Sequence, residues 1–131
     1  MSSVRTPAVP ARSLRGRAAN SHGRDAEGRA AAALEAAGWE VKLLRARTKA
    51  GEIDIVAEKD GLLAFVEVKA RALLADAAEA LSVRQRARLL KTAEILLAEH
   101  PEWGRNGVRF DVMVVDARGT VRRIRDAFRL L

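Results

Sequence analysis

Glu52, Asp54, Glu67 and Lys69 interrupt an otherwise apolar stretch from Gly51 to Arg71, GEIDIVAEKDGLLAFVEVKAR. At its centre, Asp60-Gly61 is a two-residue hairpin signal, because both middle positions of a type I′ turn need positive φ. With Lys59 and Leu62 flanking that turn, the register follows. Glu58 opposes Leu63, Ala57 opposes Ala64, Val56 opposes Phe65 and Ile55 opposes Val66. Asp54 then opposes Glu67, Ile53 opposes Val68 and Glu52 opposes Lys69. Opposed residues share a face and successive pairs alternate. One face is therefore expected to hold Ile53, Ile55, Ala57, Ala64, Val66 and Val68 as the core, and the other Glu52, Asp54, Val56, Phe65, Glu67 and Lys69.

On this register the Asp54 and Glu67 Cβ atoms stand about 4.5–5.5 Å apart, and like charges so placed destabilise a sheet. A divalent cation removes the conflict. Mg²⁺ takes one or two protein carboxylates, keeps several waters and completes its shell with phosphate oxygens. Lys69 shares the face of Glu67, where it can orient or deprotonate a water or neutralise charge developing on a phosphate. The competing reading is a solvated face on which Lys69 pairs with Glu52.

The elements that must position these groups are legible along the chain. Arg24 to Ala37 is Ala-rich and ends at Gly38, a helix with a C-cap. Ala30, Ala33, Leu34 and Ala37 form its inward stripe, and Glu27 points along that stripe, either complementing the helix dipole or aimed at a site beneath it. Trp39–Arg45 alternates as a strand, and the polar link ARTKA leads into the hairpin. Ala77 to Glu99 is the longest helical pattern, ended by His100-Pro101. Val108–Val115 is a strand, Asp116–Gly119 a turn and Thr120–Arg123 a short strand. The order α-β-β-β-α-β-β describes a mixed α/β domain with a small sheet.

Composition sets the class. The 131 residues, 49% hydrophobic, suffice for one core. There is no Cys, which excludes disulfides, a thiolate nucleophile and thiolate metal sites. No apolar run approaches a membrane span, and the start lacks the apolar core of a secretory signal. The expected location is cytoplasmic, although the basic, Ser-containing start also suits a transit peptide. The net charge of +7 is uneven: Arg5, Arg12, Arg15, Arg17 and Arg24 stand in the first 24 residues without an acid. Residues 1–22 are expected to be a disordered basic tail and 23–131 a single domain. Such an arm suits phosphate contacts or serves only as a solubilising leader.

Asp54 followed by Glu67-Val68-Lys69 resembles the D-(x)n-E-x-K signature of PD-(D/E)XK nucleases. The longer runs GRDAEGRAAAALEAAGWEV, GEIDIVAEKDGLLAFVEVKAR, LLKTA, RFDVMVVD and IRDAF resemble the YraN family of endonuclease-like proteins, from about residue 23 to 128. The resemblance implies a restriction-endonuclease-like fold, a mixed β-sheet flanked by helices. It also implies Mg²⁺- or Mn²⁺-assisted phosphodiester hydrolysis in DNA, including branched DNA, with Asp54, Glu67 and Lys69 catalytic. Asp54 and Glu67 would hold metal, joined by Glu27, which matches the helix acid of the Holliday-junction-resolvase-like branch. That branch also suggests a homodimer by analogy.

Glu52 matches the GEID run of the family with a less defined role. Counting back from Leu89-Leu90 places Gln85 and Arg86 on the Lys-Gln pair of the family, and helical phase turns Gln85 inward as a supporting group. The segment ARALLADAAEAL departs from the family in lacking its Phe-Gly. Arg84, Arg86, Arg88 and Lys91 are candidate backbone contacts for DNA. Asp111, on the polar side of its strand, reads as structural or sheet-edge; His22 and His100 read as loop histidines, and Trp39 and Trp103 as packing. The alternative function is a nucleic-acid-binding module with the nuclease fold and little catalysis.

Overall fold

A computed structural model describes residues 21–71 and 83–128 of the chain. Helix α1, Ser21–Ala36, is followed by β1, Glu40–Thr48, β2, Gly51–Lys59, and β3, Leu62–Ala70. Helix α2, Val83–Glu99, then leads to β4, Val108–Val115, and β5, Val121–Phe128. The five strands form one sheet in the order β1-β2-β3-β4-β5. All neighbours are antiparallel except β3 and β4. That parallel pair requires a crossover, which α2 supplies. The class is α/β, a mixed sheet with two helices, consistent with a nuclease-like fold.

Local chemistry sets the joints. The α1 terminus closes with the Trp39 N–H donating to Leu34 O at 3.0 Å, which needs the φ of +96° at Gly38. Lys59 Nζ donates to Ala37 O at 2.7 Å, a cation on the helix's last carbonyls. Asp60 and Gly61 adopt φ of 52° and 83°, and the paired register from Lys59↔Leu62 to Ile55↔Val66 is the one the turn predicts.

The expectation of a single core face is corrected. Both faces of the sheet are buried. Ile55, Ala57, Ala64 and Val66 pack with Ala30 and Leu34 of α1, whereas Val56, Leu63 and Phe65 pack with Leu89, Ala93 and Leu96 of α2. Val56 and Phe65, expected on the chemical face, are thus fully buried core. Ile53 belongs to the α2-side cluster and Ile55 to the α1-side cluster, so the simple alternation breaks at Asp54. A strand covered on both faces reads as a nearly continuous apolar run, which is what LLAFVEV is.

Other bounds also move. β1 extends through the link to Thr48, and β5 runs five residues beyond the expected Arg123. The tail as far as residue 20, the first turns expected of the long helix and the ARALLADAAEAL segment after Arg71 lie outside the described residues, whereas residues 21 and 22 fall in α1. His100 lies in the loop after α2, as expected, where it is buried and stacks on Trp103 at 3.8 Å between ring centroids. Asp111 is also buried rather than on a polar face. It receives Arg109 Nε at 3.0 Å and Arg109 Nη2 at 3.1 Å, with Arg123 Nε at 3.8 Å. Both guanidiniums lie over the Trp39 ring. No helix among the described residues is long and apolar enough to cross a membrane.

Candidate active site

The β2–β3 ladder ends at Ile55↔Val66. One step beyond, Asp54 Oδ2 accepts the Val68 N–H at 2.8 Å, so a side chain takes the amide that a longer ladder would have used. This side-chain bond holds the two strands together where their backbones stop pairing. It also brings the Asp54 carboxyl within hydrogen-bonding reach of Glu67.

The electrostatics follow from that proximity. Burial and the Asp54 charge push Glu67 up to about 7, against the opposing pull of Lys69. Asp54 is raised as well, chiefly by burial, with the Val68 amide opposing and Glu52 adding. Two buried carboxyls that share hydrogen bonds titrate as a pair and hold a proton near neutrality. Lys69 Nζ lies 3.4 Å from Glu67 Oε2, and both side chains are largely buried. Lys69 is therefore partnered by Glu67, not by Glu52 as the solvated-face reading required.

Glu67 opens into a cleft of about 220 Å³ on the α2 side of the sheet, lined also by Gly51, Glu52, Gln85, Arg88, Leu89 and Thr92. Gln85, Leu89 and Thr92 recur at helical spacing, so one stripe of α2 forms the wall. Gly51, with φ of 150°, starts β2 beside that wall, where a Cβ would stand 3.2 Å from Thr92 Oγ1. Among the four cationic candidates on α2, Arg88 lines the cleft. Arg84 and Lys91 share its exposed stripe and Arg86 lies on the opposite flank of the helix.

Glu27 is placed differently from the other acids. Its carboxylate is gripped by Arg45, Nε to Oε1 at 3.0 Å and Nη2 to Oε2 at 3.3 Å. The same guanidinium reaches Glu52 Oε2 at 4.0 Å, with Arg47 at 3.5 Å from that oxygen. Arg45 sits between the paired residues Leu44↔Ile55 and Ala46↔Ile53, across from Asp54, at φ of 54°. Sequence reasoning missed this arginine. The register of the β1–β2 hairpin, had its Thr48↔Gly51 closure been read, would have placed it opposite Asp54.

The donor set suits a hard divalent cation. Asp54 and Glu67 are adjacent, largely buried carboxyls whose charged forms Lys69 and the Val68 amide compensate only in part, so both are raised. Glu52 Oε2 makes no hydrogen bond among the described residues but lies 3.5 Å from Arg47 and 4.0 Å from Arg45. Such oxygens match Mg²⁺ or Mn²⁺ rather than a soft metal. Among the described residues no three His, Cys, Asp or Glu side chains form a ready cluster, so protein ligands would be few and water or phosphate would supply the remainder.

The model of "Uncharacterised protein family UPF0102" matches residues 26–115, which include Glu27, Asp54, Glu67 and Lys69. The chain belongs to the UPF0102 family. UPF0102 is the YraN family whose motifs the sequence carries. A UPF0102 protein of Granulibacter bethesdensis is 62% identical over 117 residues, covering 89% of this chain and 74% of the relative. A UPF0102 protein of Azorhizobium caulinodans is 47% identical over 95% of this chain and 94% of its own length. One of Acidiphilium cryptum is 49% identical over 86% and 88%.

Proposed function

We propose that the protein is a Mg²⁺- or Mn²⁺-dependent nuclease that hydrolyses phosphodiester bonds in DNA. The observation that carries this reading is the buried Asp54–Glu67 pair, with Lys69 against Glu67, opening into a cleft lined by Arg88. Asp54 and Glu67 would hold the cation, with Glu52 nearby at the mouth of the cleft but paired to Arg47. The bound cation supplies Lewis acidity toward a phosphate oxygen and a more acidic water. Lys69 would orient an attacking water and neutralise negative charge developing on the phosphate oxygens. Arg88 steadies the substrate backbone, and Gln85 steadies the cleft wall.

Nicked, branched and linear DNA incubated with the full chain, with and without Mg²⁺ or Mn²⁺, tests the proposal. Cleavage should require metal and fall by about 10²-fold or more in Asp54→Ala and Lys69→Ala, while binding persists. A second reading, a binding module with the same fold, draws on Glu27 being committed to Arg45. Metal-independent binding with no cleavage of any substrate would establish it in place of the nuclease.

A further inference from the structure

A second cleft, of about 430 Å³, lies on the α1 side of the sheet, around the C-terminal ends of β3 and β4. Three arginines from three elements line it: Arg29 from α1, Arg71 just past β3, and Arg118 from the β4–β5 turn. Asp25 and Asp116 line it too. Asp116 Oδ1 accepts the Arg118 and Thr120 N–H groups at 2.9 and 2.8 Å, which ties the turn that carries Arg118.

The cleft is built around its cations. Gly119 has φ of 89°, and the Arg29 guanidinium occupies the space a Cβ would take, its Nη1 2.7 Å from that position. The Arg71 N–H donates to Val115 O at 3.0 Å, and Arg71 Nη1 donates to Ala70 O at 2.9 Å. Among the described residues none of the three guanidiniums has a carboxylate partner. Three convergent arginines outnumber the two acids of the lining, Asp25 and Asp116, and are not paired with them, which suits a phosphate that their planar donors bind bidentately.

We propose that this cleft is a second phosphate-binding site, which grips the backbone of the same nucleic-acid strand away from the bond being cut. The proposal rests on the nuclease reading. Arg71 stands four residues beyond Glu67, just past the end of β3, about 13 Å along an extended backbone. The end of β3 thus separates the reacting phosphate on the α2 side from a gripped phosphate on the α1 side.

Binding of a branched duplex and of a single-stranded fragment is measured in EDTA across a salt series. The proteins are the full chain, Arg29→Ala, Arg71→Ala, Arg118→Ala, and Arg105→Ala as an exposed cation in another loop. Each cleft variant should bind several-fold more weakly. The slope of log K against log salt should fall by about 0.9 on duplex and about 0.7 on single strand for each phosphate no longer neutralised. Arg105→Ala should leave the slope unchanged. A single methylphosphonate moved along the strand should weaken the wild type at a position away from the cut, and should cost Arg71→Ala nothing further there.

Arg118 lies in an exposed turn, so Arg118→Ala keeps the test open if Arg29→Ala fails to fold. If the wild type cleaves DNA while the cleft variants keep affinity and slope, this site is overturned and the nuclease reading stands. If the wild type binds without cleaving and the cleft variants lose affinity, the nuclease reading falls and the phosphate site stands. If the wild type neither binds nor cleaves, both are overturned.

Discussion

Glu67 is pulled both ways by its surroundings: burial and Asp54 disfavour its charge, and Lys69 favours it. Its folded-state value of about 7 lies above the ordinary 4.5, so the metal-free fold binds more protons than the unfolded chain between those limits. The resulting stabilisation is complete below about 4.5 and is lost as pH rises through about 7. In EDTA, urea unfolding should therefore show the wild type losing on the order of 1–3 kcal/mol between pH 5 and 8 from this pair. Glu67→Gln should flatten that loss, and Mg²⁺ should offset it at pH 8 by holding the charged pair. An identical pH profile in wild type and Glu67→Gln would show that Glu67 is not the titrating group.

Arg45 offers a second test at the same scale. Its left-handed φ costs roughly 1–2 kcal/mol in a non-glycine residue, and its bidentate grip on Glu27 offsets that strain. Arg45→Ala removes the grip and keeps the strain; Arg45→Gly removes both. Both variants should be less stable than wild type, with Gly above Ala by about 1 kcal/mol in denaturant unfolding. Gly no more stable than Ala would show that the backbone strain is negligible.

At the scale of elements, β4 is fixed by a buried charge as much as by its apolar residues. Asp111 is sealed between Arg109 and Arg123, with Trp39 against both guanidiniums. Removing the acid leaves two partly buried cations facing each other. Asp111→Ala should cost about 3–5 kcal/mol in thermal or urea unfolding, with the Asp54–Glu67 pair still intact on the neighbouring strands. A loss below about 1 kcal/mol, the range of exposed pairs, would show that water screens the cluster.

This burial was not legible in the sequence, because an Asp between Phe110 and Val112 reads as polar and outward until Arg123 from the adjacent β5 and the Trp39 ring come together with Arg109 around it. The β2–β3 hairpin was legible, since Asp60-Gly61 fixes the turn and the turn fixes the adjacent pairs. It did not reveal where pairing stops, because Asp54 competes for the Val68 amide through its side chain. It also could not show that α2 would bury Val56 and Phe65, since alternation distinguishes faces without counting the layers on them. Asp54, Glu67 and Lys69 come together locally from residues close to one turn. Arg45 joins from β1, and Thr92 from a helix far along the chain, so their places needed the assembled sheet.

At the scale of the whole molecule, both faces of the sheet carry a helix and a cleft, and a run of basic residues precedes the described residues. Arg5, Arg12, Arg15 and Arg17 supply four of the +7 formal charges, with no acid among the first 20 residues. If these arginines bind DNA phosphates, replacing all four by Gln in the full chain frees up to four phosphates to recondense counterions. The salt slope on duplex should then fall by as much as about 3–4, and affinity should fall most at low salt, where counterion release contributes most. Unfolding should be unchanged. On the proposed reading each cleft variant would free about one phosphate and alter where the strand is held, whereas the N-terminal arginines would set how strongly any strand is attracted. An unchanged slope and affinity in the quadruple variant would make the tail a solubilising leader and leave binding to the two clefts.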